Sequence, residues 1–354
     1  MTTGEDREAV APEKRVFQRD VVVVGASAGG VQALQRLVAA LPPELPASIL
    51  IALHLSAEAT SVLHDILSRA GQLDASQAVD GERLERGRIY VAPPNRHLLV
   101  HGANVRLSAG PRENGHRPAI DPLFRSAARA YGPRVIGVVL TGTLDDGTDG
   151  LRLIKDRGGC AVVQDPEDAA YGEMPASAIA YADPQRVVPL AEMGQVIVEV
   201  IDSPLDPDAV HTNADPSEQP IDLLEAEFGP EAPDGEASLL TCPDCGGVLI
   251  EREEGKAVRF ACQVGHAYSP ESLVEQQGDA LESALWQALR TLEERANLLN
   301  RMAKRAERRS MSETGSRMGQ RADGITRHAT EIRNTILRLR DGESPEAAHP
   351  RRAT

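Results

Sequence analysis

Hydrophobic positions along the chain follow two regimes. From residue 19 to about 201, short aliphatic runs alternate with stretches whose apolar positions recur every three or four residues. Residues 16–24, 48–53, 88–91, 135–140 and 161–164 read as strands, and 31–41, 60–70, 122–131, 148–157 and 175–181 as helices. Such alternation predicts a doubly wound α/β domain with a mostly parallel sheet, and the run Val21-Val-Val-Val24 suits a strand buried on both faces. Residues 98–100 and 105–107, joined across Gly102-Ala-Asn104, predict a small hairpin.

The pattern changes after residue 201. Pro, Asp, Glu and Ala dominate 202–238, which reads as an acidic linker, and a compact cysteine-bearing segment follows over 239–269. Over 270–341 the pattern is helical. Leu285, Leu289, Leu292, Ala296, Leu299, Ala303 and Ala306 step by four and three, as do Met318, Ala322, Ile325, Ala329, Ile332, Ile336 and Leu339. A break near Ser312-Glu-Thr-Gly315 lets the two helices fold back as a hairpin, join another chain's helices in self-association, or form an ordinary small bundle. Residues 1–18 read as a disordered leader and 342–354 as a tail.

Composition narrows the function. A chain of 354 residues holds two or three domains. A net charge of -15 and 3% aromatics argue against a nucleic-acid binder. The charged start lacks the apolar core of a signal peptide, and no apolar run approaches a membrane span. Four cysteines in a chain of this length form no secreted disulfide framework, so a reducing cytoplasm is the expected setting.

The candidate chemistry begins at Gly25-Ala-Ser27-Ala-Gly29, where a strand turns sharply into a helix. The glycine spacing is not that of a dinucleotide fingerprint, the second strand ends at His54 rather than a carboxylate, and no Gly-Lys-Ser/Thr follows for a P-loop. A nucleophile elbow and a glycine-rich turn with an incidental serine both remain. In an open parallel sheet, functional groups collect at the carboxyl ends of strands. Ser27 follows the first strand, His54 the second, and Asp146 the 135–140 run, so Ser, His and Asp converge on one edge. Asp145 competes with Asp146, either of which could be a turn or N-cap residue, and His64, His97, His101 and His116 are other candidate bases. The order Ser, His, Asp also differs from the Ser, Asp/Glu, His order of the α/β-hydrolases.

These residues, with Leu140-Thr-Gly-Thr-Leu-Asp-Asp146-Gly, Tyr90-Val-Ala-Pro-Pro-Asn-Arg-His97, His116-Arg-Pro-Ala-Ile-Asp121-Pro-Leu-Phe124, Gln164-Asp-Pro and Tyr171-Gly-Glu-Met-Pro175, resemble the catalytic domain of the chemotaxis protein-glutamate methylesterases, the CheB family. The resemblance covers roughly residues 19–200. It implies Ser27 as nucleophile, His54 as general base and acid, Asp146 as the residue orienting the imidazole, and a γ-glutamyl methyl ester on a chemoreceptor as substrate. Glutamine deamidation is a further activity of the family. Ala28 stands where the family has Thr, and Thr143 and Leu144 where it reads Met and Gly. Backbone donors survive such changes, so an oxyanion hole from the amides near Ala28 and Thr143 is expected. Family members usually begin with a phosphoacceptor receiver domain, for which the residues before the first strand are too few. Ala28, Thr143 and Leu144 favour a rival reading, a non-enzymatic signalling adaptor that uses the scaffold for protein binding.

A second constellation is Cys242-Pro-Asp-Cys245 followed by Cys262-Gln-Val-Gly-His266. Two ligand pairs separated by sixteen residues suit a tetrahedral Cys3His zinc ribbon. Four protein ligands leave no open position, so the expected zinc is structural; the alternative is free thiols or a redox CxxC. No cofactor is expected for catalysis. Cys160 reads as an inert core residue.

Overall fold

The structure, a computed structural model, describes residues 18–55, 61–205, 235–254 and 257–340. The leader, the acidic linker and the tail expected from the sequence lie almost wholly outside these residues. Contacts divide the chain into two compact units, one ending at Leu273 and the other beginning at Val274.

The first unit opens with β1 (Val21–Ala26), α1 (Gly30–Ala39), β2 (Ser48–Leu53), α2 (Leu63–Ala70), β3 (Asp74–Gln77) and β4 (Arg88–Val91). A hairpin of β5 (His97–His101) and β6 (Asn104–Ser108) follows. Then come α3 (Ile120–Tyr131), β7 (Val135–Val139), α4 (Thr148–Asp156), β8 (Cys160–Gln164), α5 (Glu173–Ala182), β9 (Arg186–Val188) and α6 (Leu190–Asp202). Seven strands form one sheet in the order β3-β4-β2-β1-β7-β8-β9, each pairing parallel.

Alternation along β1 shows why four successive valines are needed. Val22, Val24 and Ala26 pack on the face covered by α1, α2 and α6, while Val21 and Val23 pack on the other with α3, α4 and α5. Both faces are buried, so no polar position interrupts the run. β1 also lies where the strand order reverses, between β2 on one side and β7 on the other. That switch point leaves a crevice at the carboxyl edge, and the loops after β1, β2 and β7 open onto it.

The expected strands and helices of the α/β domain are present, with ends shifted by a few residues; the helix expected over 60–70 begins at Leu63 among the described residues. Three elements were not expected. β3 and β9 are short sheet-edge strands whose residues are mostly exposed or half-buried, so neither carries a hydrophobic run. α6 contains Gly194 and the β-branched Val196, Ile197, Val198, Val200 and Ile201, poor helix formers whose packing on the core overrides local preference.

Still within the first unit, β10 (Glu236–Thr241), β11 (Val248–Glu254), β12 (Ala257–Cys262) and β13 (Ala267–Tyr268) form an antiparallel sheet. The second unit holds most of α7 (Pro270–Glu307) and all of α8 (Ser312–Arg340). Leu289, Ala329 and Ile336 are buried between these helices, flanked by Leu285, Leu292 and Ile332, as the four-three spacing requires.

Candidate active site

Ser27 leaves the end of β1 with its N–H bonded to the Thr141 carbonyl at 3.0 Å, which ties the turn to the chain beyond β7. Gly29, at φ 74°, supplies the left-handed residue that admits α1 immediately afterwards. Gly25 has a different role. A Cβ there would lie 2.3 Å from Ile120, so its absence lets the first residue of α3 approach the strand.

His54 follows β2, its N–H bonded to the Ala26 carbonyl at 3.2 Å. Its Nδ1 lies 3.0 Å from Ser27 Oγ, and its Nε2 2.7 Å from Asp146 Oδ2. An ionised carboxylate only accepts, so the imidazole proton sits on Nε2 and the Nδ1 lone pair faces the serine hydroxyl. Ser27, His54 and Asp146 thus form one hydrogen-bonded line across three strand ends.

Asp146 is nearly inaccessible and heavily bonded. Oδ2 accepts the Ile120 N–H at 2.7 Å, and Oδ1 accepts Asn114 Nδ2 at 3.0 Å and the Asp121 N–H at 3.3 Å. The carboxylate therefore caps the amino end of α3, a twelve-residue helix whose free amides favour negative charge. Burial alone would raise its pKa, but the His54 hydrogen bond and charge, the Ile120 N–H and His116 outweigh that and hold it below the usual carboxylate range. The neighbouring Asp121 shows the opposite balance: burial and the Asp146 charge raise it well above the ordinary value.

The competing candidates fall elsewhere. Asp145 turns away, its Oδ1 accepting Ser269 Oγ at 2.8 Å and Ser272 Oγ at 2.9 Å. His97 has both ring nitrogens engaged, Nε2 with the Pro111 carbonyl at 2.8 Å and Nδ1 with the Ala119 N–H at 3.3 Å. His64 sits on α2 beside Asp65, and His101 ends β5. His116 does reach the site, but by stacking on the His54 ring. Asn114 and His116 were not singled out as a donor to the acid and a stacking partner; Asn114-Gly115 carries only a turn signal, in keeping with its φ of 50°.

Around the serine, Thr141 Oγ1 donates to the Ala28 carbonyl at 3.0 Å and accepts the Tyr171 N–H at 2.9 Å. A Cβ on Gly142 would lie 2.9 Å from Ser27 Cβ, so the Gly142 backbone passes close to the Ser27 side chain. The Gly142 N–H is held by the Tyr171 carbonyl at 3.0 Å and the Leu144 N–H by Glu173 Oε2 at 3.2 Å. The Thr143 peptide is thereby anchored on both sides.

Cys242, Cys245, Cys262 and His266 bring their ligand atoms within 4.8 Å of one another. Cys245 and Cys262 sulfurs are 3.7 Å apart, and His266 Nδ1 lies 3.7 Å from Cys242 Sγ and 3.6 Å from Cys262 Sγ. Tetrahedral thiolates at about 2.3 Å from zinc are about 3.8 Å apart, so the donor set and spacing fit this metal. Each pair sits on a tight turn, closed by Gly246 N–H to the Cys242 carbonyl at 2.8 Å and Gly265 N–H to the Cys262 carbonyl at 2.9 Å. Cys160 is buried at the start of β8, apart from this group.

Residues 22–197 match the CheB methylesterase family. An Anaeromyxobacter dehalogenans protein named protein-glutamate methylesterase/protein-glutamine glutaminase 2 is 40% identical over 195 residues, covering 55% of this chain and 57% of the relative. The chain likewise spans 52% of a Methanosarcina mazei relative of the same name, about half its length. A Leptospira interrogans protein, provisionally named protein-glutamate methylesterase/protein-glutamine glutaminase, is 37% identical over 182 residues, covering 51% of this chain and 94% of that protein. Among solved structures, the Thermotoga maritima CheB methylesterase catalytic domain matches with a TM-score of 0.50 and 31% identity, over 52% of this chain and all of that one. Because the matched span contains the three strand ends that bring Ser27, His54 and Asp146 together, fold, site and likeness refer to the same residues: the chain belongs to the CheB methylesterase family.

Proposed function

We propose that the chain hydrolyses glutamate γ-methyl esters on chemoreceptor-like proteins, releasing methanol, and that the same site deamidates glutamine side chains. The carrying observation is the continuous line from Ser27 Oγ through His54 to Asp146, 3.0 and 2.7 Å between heavy atoms. Ser27 Oγ attacks the ester carbonyl as its proton passes to His54 Nδ1. The resulting imidazolium is stabilised by Asp146 and returns the proton to the departing methoxide, leaving an acyl-serine. Water, activated by the same nitrogen, then releases glutamate and frees Ser27. With a glutamine side chain the leaving group is ammonia.

The tetrahedral oxyanion is assigned to backbone N–H groups at Ala28 and Thr143. The amino end of α1 and the anchored 142–143 backbone support this assignment, since fixed donors need no reorganisation as charge develops. Substitution of the family's Thr and Met side chains leaves those amides in place.

Cys242, Cys245, Cys262 and His266 are proposed to hold a structural zinc ion, which when bound would cross-link the two tight turns. No catalytic cofactor is part of the mechanism. Among the described residues no helix is long and apolar enough to cross a membrane. The proposal places the protein in the cytoplasm, facing methylated receptors. Leu281, Trp286, Leu298 and Met302, exposed along α7, support self-association through the helical hairpin, which sedimentation would test.

The deciding experiment is methanol release from methylated chemoreceptor membranes, wild type beside Ser27→Ala. Release abolished by the substitution is the expected result. No release from folded wild type would turn the assignment towards a signalling adaptor or another ester.

A further inference from the structure

The Cys3His module lies against the segment that carries Asn114. Ala267, the residue after His266, accepts the Asn114 N–H at 2.8 Å, and its own N–H reaches the Arg112 carbonyl at 3.4 Å. Two residues further, the Ser269 N–H donates to Asn114 Oδ1 at 3.0 Å. Arg259, three residues before Cys262, is half-buried, pairs with Glu113 and reaches Asp149 Oδ2 at 3.1 Å. Glu113 is held from its other side by Arg125 of α3 at 2.7 Å.

An asparagine amide has an acceptor end and a donor end, and the two are interchangeable unless a neighbour distinguishes them. Here the neighbour is the Ser269 N–H. It requires the Asn114 oxygen on its side and so directs the NH2 group to Asp146 Oδ1 at 3.0 Å and Asp121 Oδ2 at 3.3 Å. A flipped amide would set its oxygen against the Asp146 carboxylate. The module's contact with Asp146 itself is therefore directional and runs through the Asn114 side chain, while Ser269 Oγ and Ser272 Oγ bond to the neighbouring Asp145.

Resting on the esterase reading above, we propose that Ser269 and Arg259 are positioning residues for this site. Metal at the Cys242–His266 cluster holds them in place, they hold the Glu113–Asn114 segment, and Asn114 in turn orients Asp146 towards His54. The module's own core supports the dependence on metal. Leu249, Phe260, Tyr268 and Leu273, with the ligands Cys242 and Cys262, make up its buried cluster, too little to order such a segment alone. Loss of the ion frees the 267–269 strand end and Arg259 together, while the main sheet keeps its own two core layers. Catalytic turnover then falls through a misoriented Asp146, with the substrate surface intact.

The test uses the full chain with zinc bound, the same protein after chelation, and Arg259→Ala, Arg259→Lys and Asn114→Ala. The first readout is the downfield proton NMR signal of the His54 Nε2–H held by Asp146, which does not depend on any substrate. The second is kcat and KM for methanol release. Circular dichroism checks that the α/β domain remains folded. The expected result is that chelation and Arg259→Ala each shift or broaden the imidazole signal and lower kcat by roughly tenfold with little change in KM. Arg259→Lys is expected to restore part of both, and chelation to have little further effect in Asn114→Ala because the link is already cut. An imidazole signal indifferent to metal and to Arg259→Ala, with the α/β domain folded, would overturn the proposal. So would losses from chelation and Asn114→Ala that simply multiply. A metal-responsive imidazole signal without methanol release would support the coupling and defeat the ester assignment instead.

Discussion

His116 lies flat on His54, the ring centroids 3.6 Å apart and the planes 14° from parallel. Burial, with the charge His54 can carry, lowers the His116 pKa to about 4 against an ordinary 6.5, while Asp146 pulls the other way. At neutral pH His54, the proposed base, therefore stacks on an uncharged ring that covers one of its faces without competing for the proton. This has a cost in acid. Between the unfolded value near 6.5 and the folded value of about 4, the unfolded chain binds the proton and the folded chain does not, so stability falls as pH drops through that window. The full contribution is roughly 3 kcal/mol. Asp121 and Asp145, both raised by burial, act in the opposite direction as they protonate, so the His116 contribution is read as a difference. Urea unfolding of wild type and His116→Phe at pH 7 and pH 5 should show the wild type losing more stability on acidification. Parallel losses would dismiss the stacking account.

Asp146→Asn tests the proposed role of Asp146 in orienting His54. The substitution keeps the shape but must place an NH2 group where either His54 Nε2–H and Ile120 N–H, or Asn114 Nδ2 and Asp121 N–H, now donate. Either way donor meets donor, and with the NH2 group towards His54 the imidazole tautomer that leaves Nδ1 free to accept is no longer favoured. Turnover is expected to fall by about four orders of magnitude. Stability should fall by roughly 1–3 kcal/mol from the unpaired buried donor. Ser27 labelling by a fluorophosphonate should slow in step with methanol release; unchanged labelling would show that Asp146 does not act through His54.

The pattern of the chain disclosed the sheet better than it disclosed the site's surroundings. Strands such as β1 and β2 are continuous apolar runs because both faces are buried, and periodicity reports burial directly. Ser27, His54 and Asp146 were legible because each follows such a run. Asp145 and Asp146 could not be separated in that way, since adjacent residues on a loop carry no period; only the helix end at Ile120 and the hydroxyls of Ser269 and Ser272 assign them different partners. Asn114 and His116 were hidden for a related reason. Their roles depend on contacts with residues 32 and 62 positions away in the chain, Asp146 and His54, which no local rule encodes. The candidate metal-binding cluster was accessible because tetrahedral coordination calls for a short spacing within each pair.

Gly25→Ala should damage both fold and site. The added Cβ would sit 2.3 Å from Ile120 Cγ2 and 3.0 Å from Cδ1, so β1 and the start of α3 must part. Overpacking of this kind costs about 1–3 kcal/mol. The Ile120 N–H that holds Asp146 would move with the helix, so turnover should drop more steeply than stability alone predicts. Gly25→Ala combined with Ile120→Ala is the informative partner. Ile120→Ala removes Cγ2 together with Cδ1, so Gly25→Ala should cost less in the Ile120→Ala background than in wild type, and an equal cost in both would place the defect elsewhere.

Leu144 carries a backbone cost in the loop that delivers Asp146. Its φ of 60° lies in the left-handed region, where a branched side chain crowds the following carbonyl, and the related family motif has glycine at this position. The Glu173 carboxylate, accepting the Leu144 N–H at 3.2 Å, helps to hold the turn. Leu144→Gly removes the crowding but gives the unfolded chain more freedom, and the two effects leave a net gain of roughly 0.5–1 kcal/mol. For a domain of this size that corresponds to a rise in Tm of about 1–4 °C. Leu144→Ala keeps a Cβ at the same φ and should bring no gain. Thermal unfolding of the three proteins separates backbone from side chain: a gain shared by Ala and Gly would trace the effect to the leucine side chain, and a gain confined to Gly to the left-handed backbone.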